Sequence, residues 1–198
     1  MHCPKCGAGL GPRFASLKMA SCPYCGTTSF LEDGAFRAAG SSGVMHEGPA
    51  LIALGTPLRI GGTLYHPRGQ ARFGYGRGEW DEFWAEAEDG AGVWISVDEG
   101  DVVIQRALAP SAAPRVPRDL PLGTKIPTAG ATFTVTEAET AECLALRGLF
   151  PEVLRLGERY RFVDCADATG RLLSGERGPD GWLWFLGSWF DPFEVTPA

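Results

Sequence analysis

Four cysteines in the first 25 residues constrain this chain more than any other feature. Cys3, Cys6, Cys22 and Cys25 form Cys-Pro-Lys-Cys-Gly, a 15-residue interval, and Cys-Pro-Tyr-Cys-Gly. Two residues between cysteines let both thiolates of a knuckle reach one metal. The proline shapes the turn, and the following glycine frees backbone N–H groups to point at sulfur. Four soft thiolates predict tetrahedral Zn(II). Rubredoxin-type iron sites use similar knuckles, so iron is the alternative. A shell closed by four thiolates leaves no open coordination position, so the metal is expected to be structural. Two disulfides would need an oxidising compartment, for which the sequence carries no signal. A zinc ribbon over residues 1–33 is therefore expected. Cys143 and Cys165 lie far away in apolar surroundings and read as small buried hydrophobes.

The rest of the 198-residue chain is ordinary for a folded protein, 44 % hydrophobic and 21 % charged. No apolar run approaches the roughly 18 residues that span a bilayer. Met1-His2-Cys3-Pro4 has neither a basic stretch nor an apolar core, so no secretory signal is expected and the cytoplasm is the expected location. The formal charge is −6. Residues 1–37 carry Lys5, Arg13, Lys18 and Arg37 against Glu32 and Asp33, a surplus that four thiolates and one divalent metal would cancel. Nucleic-acid affinity comes mainly from neutralised phosphates, so generic nucleic-acid binding is disfavoured.

Period-two patterns and turn chemistry predict a mainly β architecture, with the zinc ribbon followed by two small SH3-like or barrel-like β units. Residues 34–55 include Ala38-Ala39-Gly40-Ser41-Ser42-Gly43 and read as a flexible linker. Residues 56–108 form the first β unit: runs at 71–75, 79–88, 93–97 and 102–107 are divided by Gly76-Arg77-Gly78, Asp89-Gly90-Ala91-Gly92 and Asp98-Glu99-Gly100-Asp101. Residues 109–119, with Pro110, Pro114 and Pro117, form a stiff connector. Residues 120–198 form the second unit, with strands at 132–136, 142–147, 160–165, 171–175 and 182–186 and turns at 167–170 and 178–181. A weak internal repeat sets Leu58 and Gly69 against Leu120 and Gly130, and Trp94 against Trp182-Leu183-Trp184, the trace a duplication would leave.

Glu79-Trp80-Asp81-Glu82-Phe83-Trp84 is the second informative stretch. On a strand, Trp80, Glu82 and Trp84 share one face while Asp81, Phe83 and Ala85 share the other. Two aromatics flanking a carboxylate can cage a cation; the plain alternative is a core strand of a small barrel. Between Glu79 and Asp101 there are nine acids, among them Glu86, Glu88 and Asp89, and no Lys or Arg. Such a field is either a solvated rim or a docking surface for a basic protein segment. The candidate partner-binding residues are Trp80, Asp81, Glu82, Trp84, Glu86, Glu88 and Asp89. Catalytic signals are thin. Cys165 sits among acids without a histidine near it in sequence, and no phosphate loop, nucleophile elbow or zincin helix appears.

The ribbon and the Trp80-Asp81-Glu82-Phe83-Trp84 strand together resemble an uncharacterised bacterial family known only as a domain of unknown function. Its members carry an N-terminal zinc ribbon and a Trp-Asn/Asp-Glu-Trp-Tyr strand. Gly148-Leu149-Phe150-Pro151 is similar to its Gly-Glu-Leu-Pro turn, and Asp164-Cys165 to a strand-ending acid. The resemblance implies gene neighbourhoods of membrane-stress, phage-shock type and partners at the inner membrane face, and it implies no activity.

The expectation is therefore a non-enzymatic binding or scaffold protein with a structural Zn(II) ribbon, contacting a protein partner that bears a basic segment. Peripheral association with the inner membrane through that partner follows, without insertion. One alternative is a nucleic-acid-associated regulatory ribbon presenting Lys5, Arg13 and Lys18. Another is a hydrolase working through Asp81, Glu82 or Asp164.

Overall fold

Alternating apolar residues and tight glycine turns translate into strand after strand. The computed structural model describes residues 1–46, 50–178 and 181–198. Glu47, Gly48 and Pro49 of the expected linker, and Pro179 and Asp180 of an expected turn, lie outside the described residues.

The N-terminal segment contributes β1 (Met19–Ser21), β2 (Thr27–Glu32) and β3 (Ala35–Ser41). Then come β4 (Leu58–Ile60), β5 (Thr63–Gly74), β6 (Glu79–Ala87), β7 (Gly92–Asp98) and β8 (Asp101–Ala107). The later half holds β9 (Lys125–Thr128), β10 (Ala131–Phe150), β11 (Arg159–Ala166), β12 (Leu172–Gly178) and β13 (Gly181–Phe190). A 3-10 turn, Pro192–Glu194, leads into β14 (Val195–Pro197). No helix among the described residues is long and apolar enough to cross a membrane.

All strands join one large antiparallel sheet, and its central part closes on itself. The order β5-β6-β7-β8-β13-β12-β11-β10 returns to β5, because Ala71 and Gln70 of β5 pair with Leu146 and Arg147 of β10. Closure removes the open edges that invite aggregation. Outside the ring, β14 and β4 extend from β5, β9 lies on β10, and β1-β2-β3 extend from the far end of β10.

Two halves of this ring share a strand plan: a short strand, a long bent one, then three more. Each opens with a two-residue hairpin at Gly61-Gly62 and at Ala129-Gly130, where all four residues have positive φ, the conformation of a type I′ turn. This correspondence differs from the one read in the sequence. Gly69 lies at a bulge in mid-strand rather than opposite Gly130, and Trp94 on β7 corresponds in position to β12, not to β13 with Trp182 and Trp184.

The faces explain how the halves are filled. Phe83, Ala85, Val93, Ile95 and Val102 face an outer core with Ile60 and Tyr65. Phe133, Val135, Val163, Cys165 and Trp184 face a second one, covered by Leu120, Ile126 and residues of the proline-rich connector such as Ala113 and Val116. The connector is packed and turned, with Ala112 N–H bonded to Ala109 O, rather than extended. The opposite faces of the same strands look into the ring. β5 changes face on the way: Tyr65 serves the outer core, a register shift follows between Pro67 and Gly69, and Ala71 and Phe73 then point inward. β10 does the same through shifts after Val135 and after Cys143.

Two further expectations are corrected. Residues 34–55 are not a free linker, because Ala35–Ser41 is a strand paired with β2 and Ile52 is buried in the first outer core. An edge strand is held by backbone hydrogen bonds, which small residues supply as well as large ones. The ribbon is therefore docked, not tethered: β1 pairs with the end of β10, Met19 is fully buried against Phe150 and Leu146, and Leu149 joins the ribbon core. Gly148-Leu149-Phe150 is likewise no turn but the last part of β10. Gly148 has φ +81 there, and its α-carbon passes so close to the Arg68 carbonyl that a side chain would collide.

Candidate functional site

The cysteine cluster is built by two matching turns. In each, the glycine after the second cysteine adopts positive φ and donates its N–H to the first cysteine's carbonyl: Gly7 to Cys3 at 2.9 Å and Gly26 to Cys22 at 3.0 Å. The four Sγ atoms all lie within 4.8 Å of one another. Cys3 and Cys25 are 3.7 Å apart, Cys6 and Cys22 3.6 Å, and none of them forms a disulfide. Sulfurs at the corners of a tetrahedron with metal–sulfur bonds of ~2.3 Å stand ~3.8 Å apart. The quartet thus fits one four-coordinate ion. The Thr27 hydroxyl lies 3.2 Å from Cys25 Sγ and fixes that side chain toward the other three. Burial pushes the thiols of Cys143 and Cys165 up to about 12. They behave as small hydrophobes.

The ring interior is the second site, and it is polar where the outer faces are apolar. A cavity of about 140 Å³ is enclosed by β6, β7, β8, β11 and β12, with Glu137 of β10 and Trp189 of β13 at its border. Its acids are Glu82, Asp98, Asp101, Glu137, Asp164 and Glu176, and no Lys or Arg lines it. Aromatic walls come from Tyr75, Trp80, Tyr160 and Phe162. Trp80 is fixed between Phe73 at 5.4 Å and Phe162 at 5.4 Å.

Depth sets the electrostatics. Glu82 is buried, and its Oε1 accepts from Trp80 Nε1 at 3.1 Å and from Ser96 Oγ at 3.2 Å. Burial outweighs these bonds and lifts its carboxyl to about 7. Asp164 is lifted to about 6, again by burial, against a bond from Ser174. Glu176 is raised well above the usual range by burial and then by the charge of Glu82. Nearer the outside, Asp98 and Asp101 face each other across the β7–β8 hairpin, and Asp98 is raised by burial and by its acidic neighbours. Gln105 on β8 is 94 % buried, and its Oε1 has no hydrogen-bond partner.

Beyond Glu82, Tyr160 and Glu176 the interior continues into a wider space of about 500 Å³. Its lining is of mixed charge, with Arg155, Arg159, Arg161 and Arg177 beside Glu152 and Glu158. The ring therefore has an acidic end and an end of mixed charge.

The seven candidate residues of the Trp strand and the turn after it divide among four places. Trp80 and Glu82 line the cavity. Trp84 shares their face but packs on Trp94 at 5.6 Å and on Phe14 of the ribbon at 6.4 Å. Asp81 points away and is gripped by both arms of Arg72 at 2.8 and 2.9 Å, and Glu86 meets Arg68 at 2.6 Å. Glu88 and Asp89 are exposed at the β6–β7 turn. The acid run is thus no continuous face, since β5 answers two of its carboxylates with arginines. Glu137, Glu176, Gln105 and Tyr160 were absent from the sequence reading. Their one signal is a polar side chain recurring among the inward positions of strands whose other face is apolar.

Residues 53–192 match the family model described as "Domain of unknown function (DUF4178)". No curated protein and no solved structure matches the chain.

Proposed function

The chain belongs to the DUF4178 family, and for it we propose a non-enzymatic binding role in which the acidic end of the ring receives a basic segment of a protein partner. The observation that carries this is a cavity bordered by six acidic side chains and no Lys or Arg. Opposite charge at a mouth speeds association and selects partners. The metal in this reading is Zn(II), held by Cys3, Cys6, Cys22 and Cys25. Its contribution is structural: it fixes the ribbon that covers the end of β10 and seats Met19 and Phe14. A basic tail beside a membrane, the kind of partner the family resemblance implies, has the required chemistry. The net charge of −6 opposes the nucleic-acid alternative.

The test titrates the full, metal-loaded chain with a lysine-rich peptide over a range of ionic strength. Binding should weaken steeply with salt and with Asp98→Asn plus Asp101→Asn, while an anionic oligonucleotide should not bind. A salt-insensitive affinity, or one untouched by the double substitution, overturns the reading.

One observation favours a second reading. Glu82 and Asp164 border the same cavity with carboxyls lifted to about 7 and about 6, values suited to general acid–base work near neutrality. Asp81, locked to Arg72 on the other face, has no part in it. Hydrolysis of an ester or glycoside abolished by Asp164→Asn would replace the binding role with this one.

A further inference from the structure

We propose that the tip of the β5–β6 hairpin, Tyr75-Gly76-Arg77-Gly78, is a strap across the acidic mouth of the ring. Arg77 latches it, and its guanidinium holds the place that a partner's basic segment takes. This rests on the reading that the acidic end takes positive charge, and adds how access to that end is controlled.

The backbone wall of the ring parts where the strap lies. Pairing between β5 and β10 runs from Gly69 and Gly148 to Phe73 and Cys143 and stops there. Beyond that point β10 pairs with β11, setting Glu139 opposite Phe162 and Glu137 opposite Asp164, while β5 continues with β6 into the hairpin. Side chains span the gap. Phe73 meets Tyr160 at 5.6 Å and Trp80 meets Phe162 at 5.4 Å. Farther out, Arg77 Nη2 donates to Glu139 at 2.8 Å and lies 3.9 Å from Glu137, an acid at the cavity's border.

The tip is shaped for this reach. Tyr75 N–H bonds to the Gly78 carbonyl at 3.2 Å, and Gly76 between them has φ +84. The Tyr75 ring folds over Gly78 so closely that a β-carbon there would stand 2.9 Å from its hydroxyl. That ring lines the cavity, packs on Trp80 at 5.7 Å and carries the Arg77 guanidinium 5.6 Å from its centre. The charge of Asp98 pushes the Tyr75 hydroxyl up, with smaller pushes from burial and Glu137, which sets the ring in the field of the mouth. A guanidinium stacked on an aromatic ring and bonded to carboxylates is a favourable arrangement, and here the chain supplies it to itself. Its hold is weak. The Arg77 and Glu139 side chains are 69 % and 40 % exposed, and exposed ion pairs contribute little and are screened by salt. A basic segment drawn to Asp98, Asp101 and Glu137 competes with Arg77 for Glu137 and releases the strap.

The test compares the full-length, metal-loaded protein with Arg77→Gln and Glu139→Gln, both at exposed side chains. Arg59→Gln, the same change of charge near the other end of β5, is the control. Nuclear magnetic resonance follows solvent exchange of the Trp80 Nε1–H, which bonds to Glu82 in the cavity wall. The buried Trp94 and Trp184 serve as internal references. Exchange at Trp80 should rise about two- to fivefold in Arg77→Gln and in Glu139→Gln, the factor an exposed ion pair supplies, and stay at the wild-type rate in Arg59→Gln. The lysine-rich peptide should bind Arg77→Gln more tightly than Arg59→Gln by a similar factor. Unchanged exchange in both latch variants overturns the strap, whether or not the peptide binds. Faster exchange with no peptide binding to any of these proteins keeps the strap and overturns the reading of the acidic end. Faster exchange with the peptide held equally by Arg77→Gln and Arg59→Gln overturns the role of Arg77 as occupant of the partner's place.

Discussion

Replacing Glu82 by glutamine should make the protein more stable, and only above a definite pH. The amide keeps the shape and keeps an oxygen to accept from Trp80 and Ser96, so packing and hydrogen bonds survive while the charge is lost. Burial lifts the native carboxyl from 4.5 to about 7. Below pH 4.5 both folded and unfolded forms hold the proton, and the substitution should be neutral. Between pH 4.5 and about 7 the unfolded chain gives up its proton while the native one keeps it. The unfolded state then binds fewer protons, so wild-type stability falls as pH rises and levels off once the native group ionises. At about 1.36 kcal/mol per pKa unit the full displacement is worth about 3 kcal/mol. Glu176 faces the same space and is raised partly by Glu82, so removing one charge eases the other and the gain belongs to the pair. Urea unfolding of both metal-loaded proteins, with matching m-values, measures the gap. It should open from near zero at about pH 4.5 to about 2–3 kcal/mol at about pH 8. Comparing the two proteins at each pH cancels acid loss of the metal. Parallel stability curves across that range would show that Glu82 is not held neutral by its surroundings.

Two other outcomes follow from the packing. Metal analysis should find one zinc per chain, and Cys22→Ser should lose it and lower the stability of the ring as well as of the ribbon, because Met19 and Ala20 are fully buried against other parts of the fold; a ring melting unchanged without metal would refute the docked arrangement. Trp94→Ala should cost about 3–5 kcal/mol, since Trp94 is 94 % buried between Trp84 and Phe150, and an unaltered melting temperature would contradict that burial.

Local signals in the sequence reached as far as local physics does. The knuckle spacing placed Cys3, Cys6, Cys22 and Cys25 around one point, and period-two runs located β6, β7, β8 and β11 within a residue or two. Ala35–Ser41 escaped because its Ala, Gly and Ser residues look like a linker, while what holds it is backbone pairing with β2. Bulges concealed more. In β5 and β10 the alternation runs on while the faces it addresses exchange, so pattern alone sets Tyr65 and Phe73 on one side although they fill different cores. The cavity was hidden for a third reason. Glu82 and Glu176 are brought together by pairings between distant strands, β8 with β13 and β5 with β10, so the acid run from Glu79 read as an outer rim when part of it faces inward.

The pairing of Val195–Pro197 with Leu58–Ile60 bears on how the protein is made. A ribosome adds about 5–20 residues per second, so β4 emerges on the order of ten seconds before the strand that will flank it. During that interval the first half of the fold presents β4 with one edge unpaired, and with β13 still to come β8 is exposed along its other side. Pairing of that edge is thereby deferred until β14 is free of the exit tunnel, and a nascent chain stalled before residue 195 should be held by chaperones longer than one stalled well beyond it.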